Sequence, residues 1–295
     1  MIAVDWGTSS LRAFRLGSDG GVLERRHTAR GVMQVGPGEF ETTLSELVGD
    51  WIAAGERRVL LSGMVGSRQG WREVPYLPCP AGPADLARSL APFRFGSAQV
   101  AILPGLTSTD PDGVPEVMRG EEAQIFGALP VSEDSATICL PGSHSKWATV
   151  VDGRISGFTT HLTGETFAAL RDGTIIGRLM VAGDSDPQAF AAGLERSAQG
   201  GGLLHHVFGA RTLVLAGRME GASAASYLSG LLIGHEVRAA LATARPAEPV
   251  RLIGEPGLCR LYAMALEACG ASSSTLETEA AAAGLHRIGQ LARWT

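Results

Sequence analysis

The chain is 295 residues long and 45% hydrophobic, enough for two domains of ordinary size, each with its own core. Its formal net charge of −5 argues against a general nucleic-acid binder, whose affinity comes from a basic surface. It has no run of about 18 apolar residues, no signal peptide ahead of Asp5 and Arg12, and four scattered cysteines (Cys79, Cys139, Cys259, Cys269) without a CxxC pair; a cytoplasmic protein with reduced thiols is expected, without a membrane span, a disulfide framework or a zinc site.

Ile2-Ala3-Val4 reads as a buried strand, Gly7-Thr8-Ser9-Ser10 as a tight turn, and residues 11–16 as a returning strand, with Gly20-Gly21 marking the next turn. Such a hairpin tip brings several backbone N–H groups and up to three hydroxyls into one small volume, which suits a phosphate. Asp5 would face the same volume, and a carboxylate there suits Mg²⁺ or its waters. An ordinary hairpin with a polar turn is the plainer alternative. Gly31-Val32-Met33 is expected to close a third strand. Residues 39–54 carry Phe40, Leu44, Leu47, Val48 and Trp51 at helical spacing.

Val59-Leu60-Leu61-Ser62 is expected to be a buried strand feeding the loop Gly63-Met64-Val65-Gly66-Ser67-Arg68-Gln69-Gly70-Trp71. In open α/β sheets the C-terminal edge of the strands is where ligands bind. Arg68 and Gln69 are good partners for a carboxylate and for hydroxyls; a plain surface loop with a half-buried Trp71 would look the same. A short helix is expected over 85–90, a strand over 100–103, a polar loop over 107–115, and a helix in the second half of 117–129. Glu121 and Glu122 open that last helix. Acidic residues are favourable at a helix N-terminus, and a carboxylate there can also serve as a base at the edge of a cleft.

A domain boundary is expected near residues 130–134. Residues 136–140 then form a strand, Pro141-Gly142-Ser143-His144-Ser145-Lys146-Trp147 a second small, hydroxyl-rich turn, and 148–151 a strand; Asp152-Gly153 signals a hairpin. The second half therefore opens as the first does, which points to an internal duplication with a nucleotide held by the two turns. Helices are expected over 163–170, from Asp186-Pro187, over 226–243 (amphipathic), over 260–268 and over 277–294. Residues 213–217 and 250–254 read as strands followed by glycine. Gly254-Glu255 precedes a helix start, a natural seat for part of a nucleotide.

Neither a Walker A sequence nor a GxGxxG motif is present, and no GxSxG elbow. Ser143 and His144 are adjacent, so as strand neighbours they would point apart, which disfavours a hydrolase. Phosphoryl transfer fits more of the parts. Gly7, Thr8, Ser9, Gly142, Ser143 and His144 can surround phosphates, Lys146 or Arg12 can offset charge near a metal on Asp5, and Glu121 can take the acceptor's proton.

Asp5-Trp6-Gly7-Thr8-Ser9 resembles the first phosphate motif of the sugar kinase and actin-like ATPase superfamily. More narrowly, the chain resembles the 2-dehydro-3-deoxygalactonokinase family. The likeness is carried by residues 62–71, Met118-Arg119-Gly120-Glu121-Glu122, residues 140–147, Gly201-Gly202-Leu203-Leu204-His205-His206 and residues 227–236. The resemblance implies an α/β fold of two actin-like (ribonuclease H-like) domains, each a mixed sheet flanked by helices, with a cleft between them. The domains would span 1–132 and 133–275, with 276–295 a terminal helix returning between them.

The resemblance further implies ATP-dependent phosphorylation of the terminal hydroxyl (C6) of 2-dehydro-3-deoxy-D-galactonate in galactonate breakdown, with ATP and Mg²⁺ and without nucleic-acid or membrane partners; a homodimer is left open. Gly7, Thr8, Ser9, Arg12, Gly142, Ser143, His144, Ser145, Lys146, Gly254 and Glu255 would bind ATP. Met64, Ser67, Arg68, Gln69, Trp71 and Arg119 would bind the sugar acid. Arg68 leads for its carboxylate, because a guanidinium matches a carboxylate bidentately; Arg119 is second. The superfamily often places an aspartate base ahead of the first connecting helix, where this chain has Arg119-Gly120-Glu121-Glu122. Glu121 is the expected base and Asp5 the metal ligand, with His144, Glu165 and Asp5 as alternative bases. A 2-dehydro-3-deoxygluconate kinase, a phosphatase and a non-catalytic sugar sensor remain as alternatives. A sensor would be expected to carry a DNA-binding extension ahead of Ile2.

Overall fold

The computed structural model describes residues 1–243, 248–276 and 279–294. In chain order the elements are β1 (Ile2–Trp6), β2 (Leu11–Leu16), β3 (Val22–Thr28), α1 (Phe40–Ala53), β4 (Arg58–Ser62), β5 (Leu77–Pro78), α2 (Pro83–Arg88), β6 (Ala91–Phe95), β7 (Ala98–Ile102), β8 (Leu106–Thr109), β9 (Pro115–Met118) and α3 (Glu121–Ala128). They continue as β10 (Ala136–Leu140), β11 (Ser145–Val151), β12 (Arg154–His161), α4 (Thr163–Gly173), α5 (Pro187–Ser197), α6 (Gly202–Val207), α7 (Gly209–Leu215), α8 (Ala224–Thr243), β13 (Val250–Leu252), α9 (Pro256–Ala268), β14 (Ser273–Thr275) and α10 (Ala280–Leu291). Residues 277–278, at the start of the expected terminal helix, lie outside the described residues. By contacts the chain divides into two units: Met1–Ala136 with Ala148–Thr159 and Leu276–Thr295, and Thr137–Trp147 with Thr160–Thr275.

In the first unit six strands lie in the order β3-β2-β1-β4-β7-β6. β1 runs antiparallel to β2 and parallel to β4, and β4 is parallel to β7. Every residue of β1 is buried, as expected for a strand covered on both faces. On one face Ile2, Val4 and Trp6 pack with Leu44, Val48 and Trp51 of α1. On the other, α10 lies so close to α3 that a Cβ at Gly127 would sit 1.8 Å from the Ala280 carbonyl oxygen, and one at Gly284 1.8 Å from that of Ala123.

The second sheet has the order β12-β11-β10-β13-β14, with β10, β13 and β14 parallel. Its order repeats the first five strands of the other sheet, so the echo between the two openings extends to topology. Asp152 and Gly153 both have positive φ, 51° and 67°, as a two-residue type I′ hairpin requires. Asp186 caps α5 by accepting from the Gln188 and Ala189 amides.

Several expectations are corrected. The third strand is β3, and Val32–Gln34 is a short 3-10 turn. Residues 106–118 form the β8–β9 hairpin rather than a loop, and β6 was not expected. Residues 213–217, read as a strand, belong to α7 and its end. α8 is not amphipathic, because it is buried on nearly all sides between Tyr227 and Val237. All four cysteines are free. Among the described residues no helix is long and apolar enough to cross a membrane.

The α3–α10 contact gives a direct test of the packing. Gly284→Ala should lower stability by about 1–3 kcal/mol through overpacking, read as a lower Tm, whereas Ala283→Ser on the same helix should change it little. An unchanged Tm for Gly284→Ala would show that the two helices have room to part.

Candidate active site

Asp5 and Arg12 are cross-strand partners in the β1–β2 ladder, which brings Arg12 Nη2 to 3.0 Å from Asp5 Oδ2. Asp5 is buried while the arginine side chain is half exposed. Burial pushes the Asp5 pKa up, the Arg12 guanidinium pulls it down, and the charge of Glu121 pushes it up again. The turn beyond closes through the Gly7 amide donating to the Ser10 carbonyl (2.9 Å). The Val32 and Met33 amides brace it by donating to the Gly7 and Thr8 carbonyls. Thr8 and Ser9 point outward, exposed.

α3 begins beside this turn. Gly120, with φ 110°, precedes it and lies against Gly63. The Arg119 amide donates to Glu121 Oε2 at 2.9 Å. The Gly120 amide is shared by both Glu122 oxygens at 2.8 and 3.0 Å. Glu122 is fully buried, and burial, reinforced by the neighbouring Glu121 charge, pushes its pKa up to about 8. Asp5, Arg12 and Glu121 thus gather at one end of β1.

The loop after β4 separates its residues sharply. Trp71 belongs to an aromatic cluster, stacked with Phe40 at 6.3 Å and edge-on to Phe93 at 4.9 Å. Met64 is half-buried, and Ser67 is buried with its hydroxyl unpartnered. Arg68 and Gln69 are exposed. The Arg68 side chain is 89% accessible and makes a long 3.6 Å pair with Glu73. Arg119 is 9% accessible; it donates to the Val74 carbonyl at 2.7 Å and lies over the Tyr76 ring at 4.3 Å. Its Nε and Nη1 are buried without hydrogen bonds. Arg119 therefore braces the loop's far end, whereas Arg68 is the arginine that solvent can reach.

In the second unit Gly142, Ser143 and His144 form the turn between β10 and β11. His144 Nε2 lies 2.5 Å from Glu165 Oε2, and its Nδ1 3.4 Å from the Ser143 hydroxyl. The Glu165 amide donates to the Ser143 carbonyl at 3.0 Å. Lys146 is buried, with Nζ donating to the His144 carbonyl at 3.1 Å. Ser145 is wholly buried and turned away from the exposed side of the turn, toward Tyr262 at 2.8 Å. Glu255 caps α9 by accepting from the Gly257 and Leu258 amides, which holds its pKa below the usual range. Gly254 is exposed beside it. A cavity of about 510 Å³ adjoins this cap, lined by Pro187, Phe190, Glu255, Gly257 and Arg260. A cavity of about 780 Å³ in the first unit, lined by Arg88, Phe93, Arg94 and Trp294, holds none of these residues.

The chain matches the family described as 2-keto-3-deoxy-galactonokinase over residues 5–288. It belongs to that family. It is 32% identical over 288 residues to the 2-dehydro-3-deoxygalactonokinase of Escherichia coli K12, covering 97% of this chain and 96% of that protein. It is 36% identical over 289 residues to a probable 2-dehydro-3-deoxygalactonokinase of Rhizobium meliloti, covering 96% and 94%. The crystal structure of a Sinorhizobium meliloti protein assigned as a 2-dehydro-3-deoxygalactonokinase superposes with a TM-score of 0.88 at 35% identity, over 98% of both chains. The mixed α/β fold is that of the sugar kinases and actin-like ATPases. It extends at 13% identity, as fold alone, to a Porphyromonas gingivalis protein assigned as an N-acetylglucosamine kinase (TM-score 0.52, covering 98% of this chain and 99% of that chain).

Residue-by-residue reading missed the buried, protonatable state of Glu122, although two adjacent acids ahead of the apolar run Ala123, Ile125 and Phe126 signal that one of them faces inward. It also missed the partners of Ser145, which lie far away in sequence.

The folded chain holds the Glu122 proton up to about pH 8, while a glutamate ordinarily releases it near 4.5. Unfolding therefore releases a proton across that window, and stability falls as pH rises through it. Glu122→Gln keeps an acceptor for the Gly120 amide and removes the titration, so its Tm should fall less than the parent's between about pH 5 and pH 8. Parallel Tm curves would overturn this.

Proposed function

We propose that the chain transfers the terminal phosphoryl group of ATP to the C6 hydroxyl of 2-dehydro-3-deoxy-D-galactonate. The observation that carries this is the family match over residues 5–288, together with nearly full-length likeness to a relative named for this activity. In this reading Gly7, Thr8, Ser9 and Arg12, with Gly142, Ser143 and His144, take up the phosphates, and Lys146 supports the second turn from beneath through the His144 carbonyl. The Gly254–Glu255 segment and its adjoining cavity take the adenosine end, since a cavity of that size suits a small ligand.

Magnesium is part of the proposal. Among the described residues no group of three or more acidic, histidine or cysteine side chains could hold a metal by itself. Mg²⁺ is commonly held by one or two carboxylates plus substrate phosphates and water. Asp5 is the carboxylate that would hold it, and when bound the ion offsets charge on the transferred group. Glu121 takes the proton of the attacking hydroxyl. Glu122 is fully buried on the Gly120 amide, whereas Glu121, which accepts from the Arg119 amide, is half-exposed.

Arg68 meets the substrate's carboxylate. It is accessible and weakly paired, while the open nitrogens of Arg119 are enclosed by protein. Met64, Ser67, Gln69 and Trp71 shape the same loop.

A coupled ADP-release assay over a panel of sugar acids tests the substrate. ADP should appear with 2-dehydro-3-deoxygalactonate and Mg²⁺ together and not with ATP alone; turnover indifferent to any sugar acid would overturn the proposal, and preference for the gluconate epimer would reassign the substrate. Arg68→Ala should raise KM for the acid about 10- to 100-fold, the cost of roughly 1.5–3 kcal/mol for a lost charged hydrogen bond, with KM for ATP nearly unchanged. Equal effects on both substrates would remove Arg68 from the acid site. Glu121→Gln should lower kcat about 10²- to 10⁴-fold, the usual yield of a positioned base, with little change in either KM; a kcat within a few-fold of the parent's would exclude it.

A further inference from the structure

The second turn stands on a buried polar relay. Ser145, the first residue of β11, has no accessible surface. Its hydroxyl is 2.8 Å from the Tyr262 hydroxyl on α9. Tyr262 donates to Glu236 Oε2 on α8 at 2.6 Å, and Trp147 Nε1 of β11 donates to Glu236 Oε1 at 2.8 Å. The Gly142 amide, in the turn itself, is directed at the Ser145 hydroxyl oxygen at 3.5 Å. All five residues lie within the second unit.

The hydrogens fix the direction of the chain. A tyrosine has one O–H, and here it goes to Glu236. The Ser145 hydroxyl must therefore donate to Tyr262, which leaves the Ser145 lone pairs for the Gly142 amide. The order is Gly142 to Ser145 to Tyr262 to Glu236, with Trp147 filling the carboxyl group's other oxygen. Burial, the nearby Glu236 charge and the hydrogen bond to it all raise the Tyr262 pKa, so the phenol keeps the proton that the relay uses.

The energetics explain why the relay is all or nothing. A buried hydroxyl or carboxyl group without a partner costs more than its hydrogen bond returns, and in a dry interior linked bonds strengthen one another. The relay also joins three elements that share no sequence neighbourhood. It holds α8 and α9 against the base of β11, and it sets the side-chain rotamer on which the Gly142 amide rests. Above that base, Ser143 and His144 face outward.

We propose that Glu236 and Tyr262 are positioning residues for nucleotide binding: through Ser145 they hold the turn at 141–144 in the conformation that receives the phosphates of ATP. This rests on the reading of that turn as a phosphate loop. None of the three relay side chains touches the nucleotide; they act through the backbone of the turn.

The test uses the full-length chain with Tyr262→Phe, which removes one oxygen and keeps the ring. Glu236→Gln, which keeps an acceptor oxygen for the phenol, is the conservative partner to Glu236→Ala. Without nucleotide, amide hydrogen exchange over residues 141–146 should quicken at least tenfold in Tyr262→Phe. KM for ATP should rise at least tenfold, with KM for the sugar acid within twofold. Ser145→Ala combined with Tyr262→Phe should be no worse for ATP than the more impaired single variant, since one chain is broken once. Glu236→Gln keeps an oxygen for the Tyr262 hydroxyl but turns an NH2 toward Trp147 Nε1–H, so it should recover part, and not all, of what Glu236→Ala loses in ATP binding.

Unchanged exchange at 141–146 in Tyr262→Phe overturns the relay, and so does a double variant whose losses add. Faster exchange with an unchanged KM for ATP overturns its role in nucleotide binding. His144→Ala then locates the fault. If that variant raises KM for ATP, the turn binds phosphate and the relay inference alone has failed; if it does not, the reading of the turn has failed. Should Glu236→Ala not fold, Tyr262→Phe and Ser145→Ala decide the matter by themselves.

Discussion

The first site depends on a contact between backbones at the end of β1. Gly63 has φ 92°, and a Cβ there would lie 2.7 Å from the Trp6 carbonyl oxygen; Gly120 has φ 110°, and its Cβ would lie 3.3 Å from the Gly63 Cα. Both conformations are costly for any residue with a side chain, and the space is closed as well. Three segments can therefore meet there: the end of β1, the loop leaving β4 and the first turn of α3. The consequence is electrostatic. Asp5 belongs to β1 and Glu121 to α3, yet the Asp5 carboxyl group feels the Glu121 charge. A bulkier residue at 63 or 120 would separate the groups that the proposed chemistry needs together.

The two units solve one problem by different means. Each sheet places a small-residue turn after its first strand, and each repeats the order of three strands in sequence followed by strands in parallel. The first turn is held from outside by backbone, through the Val32 and Met33 amides. The second is held from beneath by side chains, through Ser145, Tyr262 and Glu236. Backbone bracing tolerates change in the side chains that surround it. A buried side-chain relay does not, since removing one member strands the others in a medium where an unmet polar group is expensive. The second turn is thus the more exacting of the two in sequence.

What the sequence reveals follows from the range of the forces involved. β1, β4, β7 and β10 each hold a short apolar run with few polar residues, and such runs announce buried strands without further context. β3 alternates weakly, with Glu24, Arg25, Arg26 and His27 in its middle; its place is set by pairing with β2, a tertiary fact. Leu213-Val214-Leu215 is equally apolar as helix or strand, and only α8 packing decides it. The first turn was legible because Asp5, Gly7, Thr8 and Ser9 are neighbours. The relay was not, because Ser145 and Tyr262 are 117 residues apart and Glu236 stands inside what reads as an ordinary helix. Arg68 and Arg119 look alike as letters, and burial alone tells them apart.

The acids at the start of α3 show how one environment can divide two like groups. The Glu121 charge raises the pKa of both Asp5 and Glu122, and carboxylates in a confined space cannot all ionise at neutral pH without large cost. Here the cost is avoided by burying one of them. Glu122 is enclosed, keeps its proton to about pH 8, and spends its oxygens on the Gly120 amide. Its neutrality removes one negative charge from beside Glu121. Pairs of acids whose surroundings drive their pKa values apart are the arrangement that acid–base chemistry near neutral pH requires. In the proposed reaction the Glu122 carboxyl group therefore stays with the Gly120 amide and adds no charge beside Glu121 up to about pH 8.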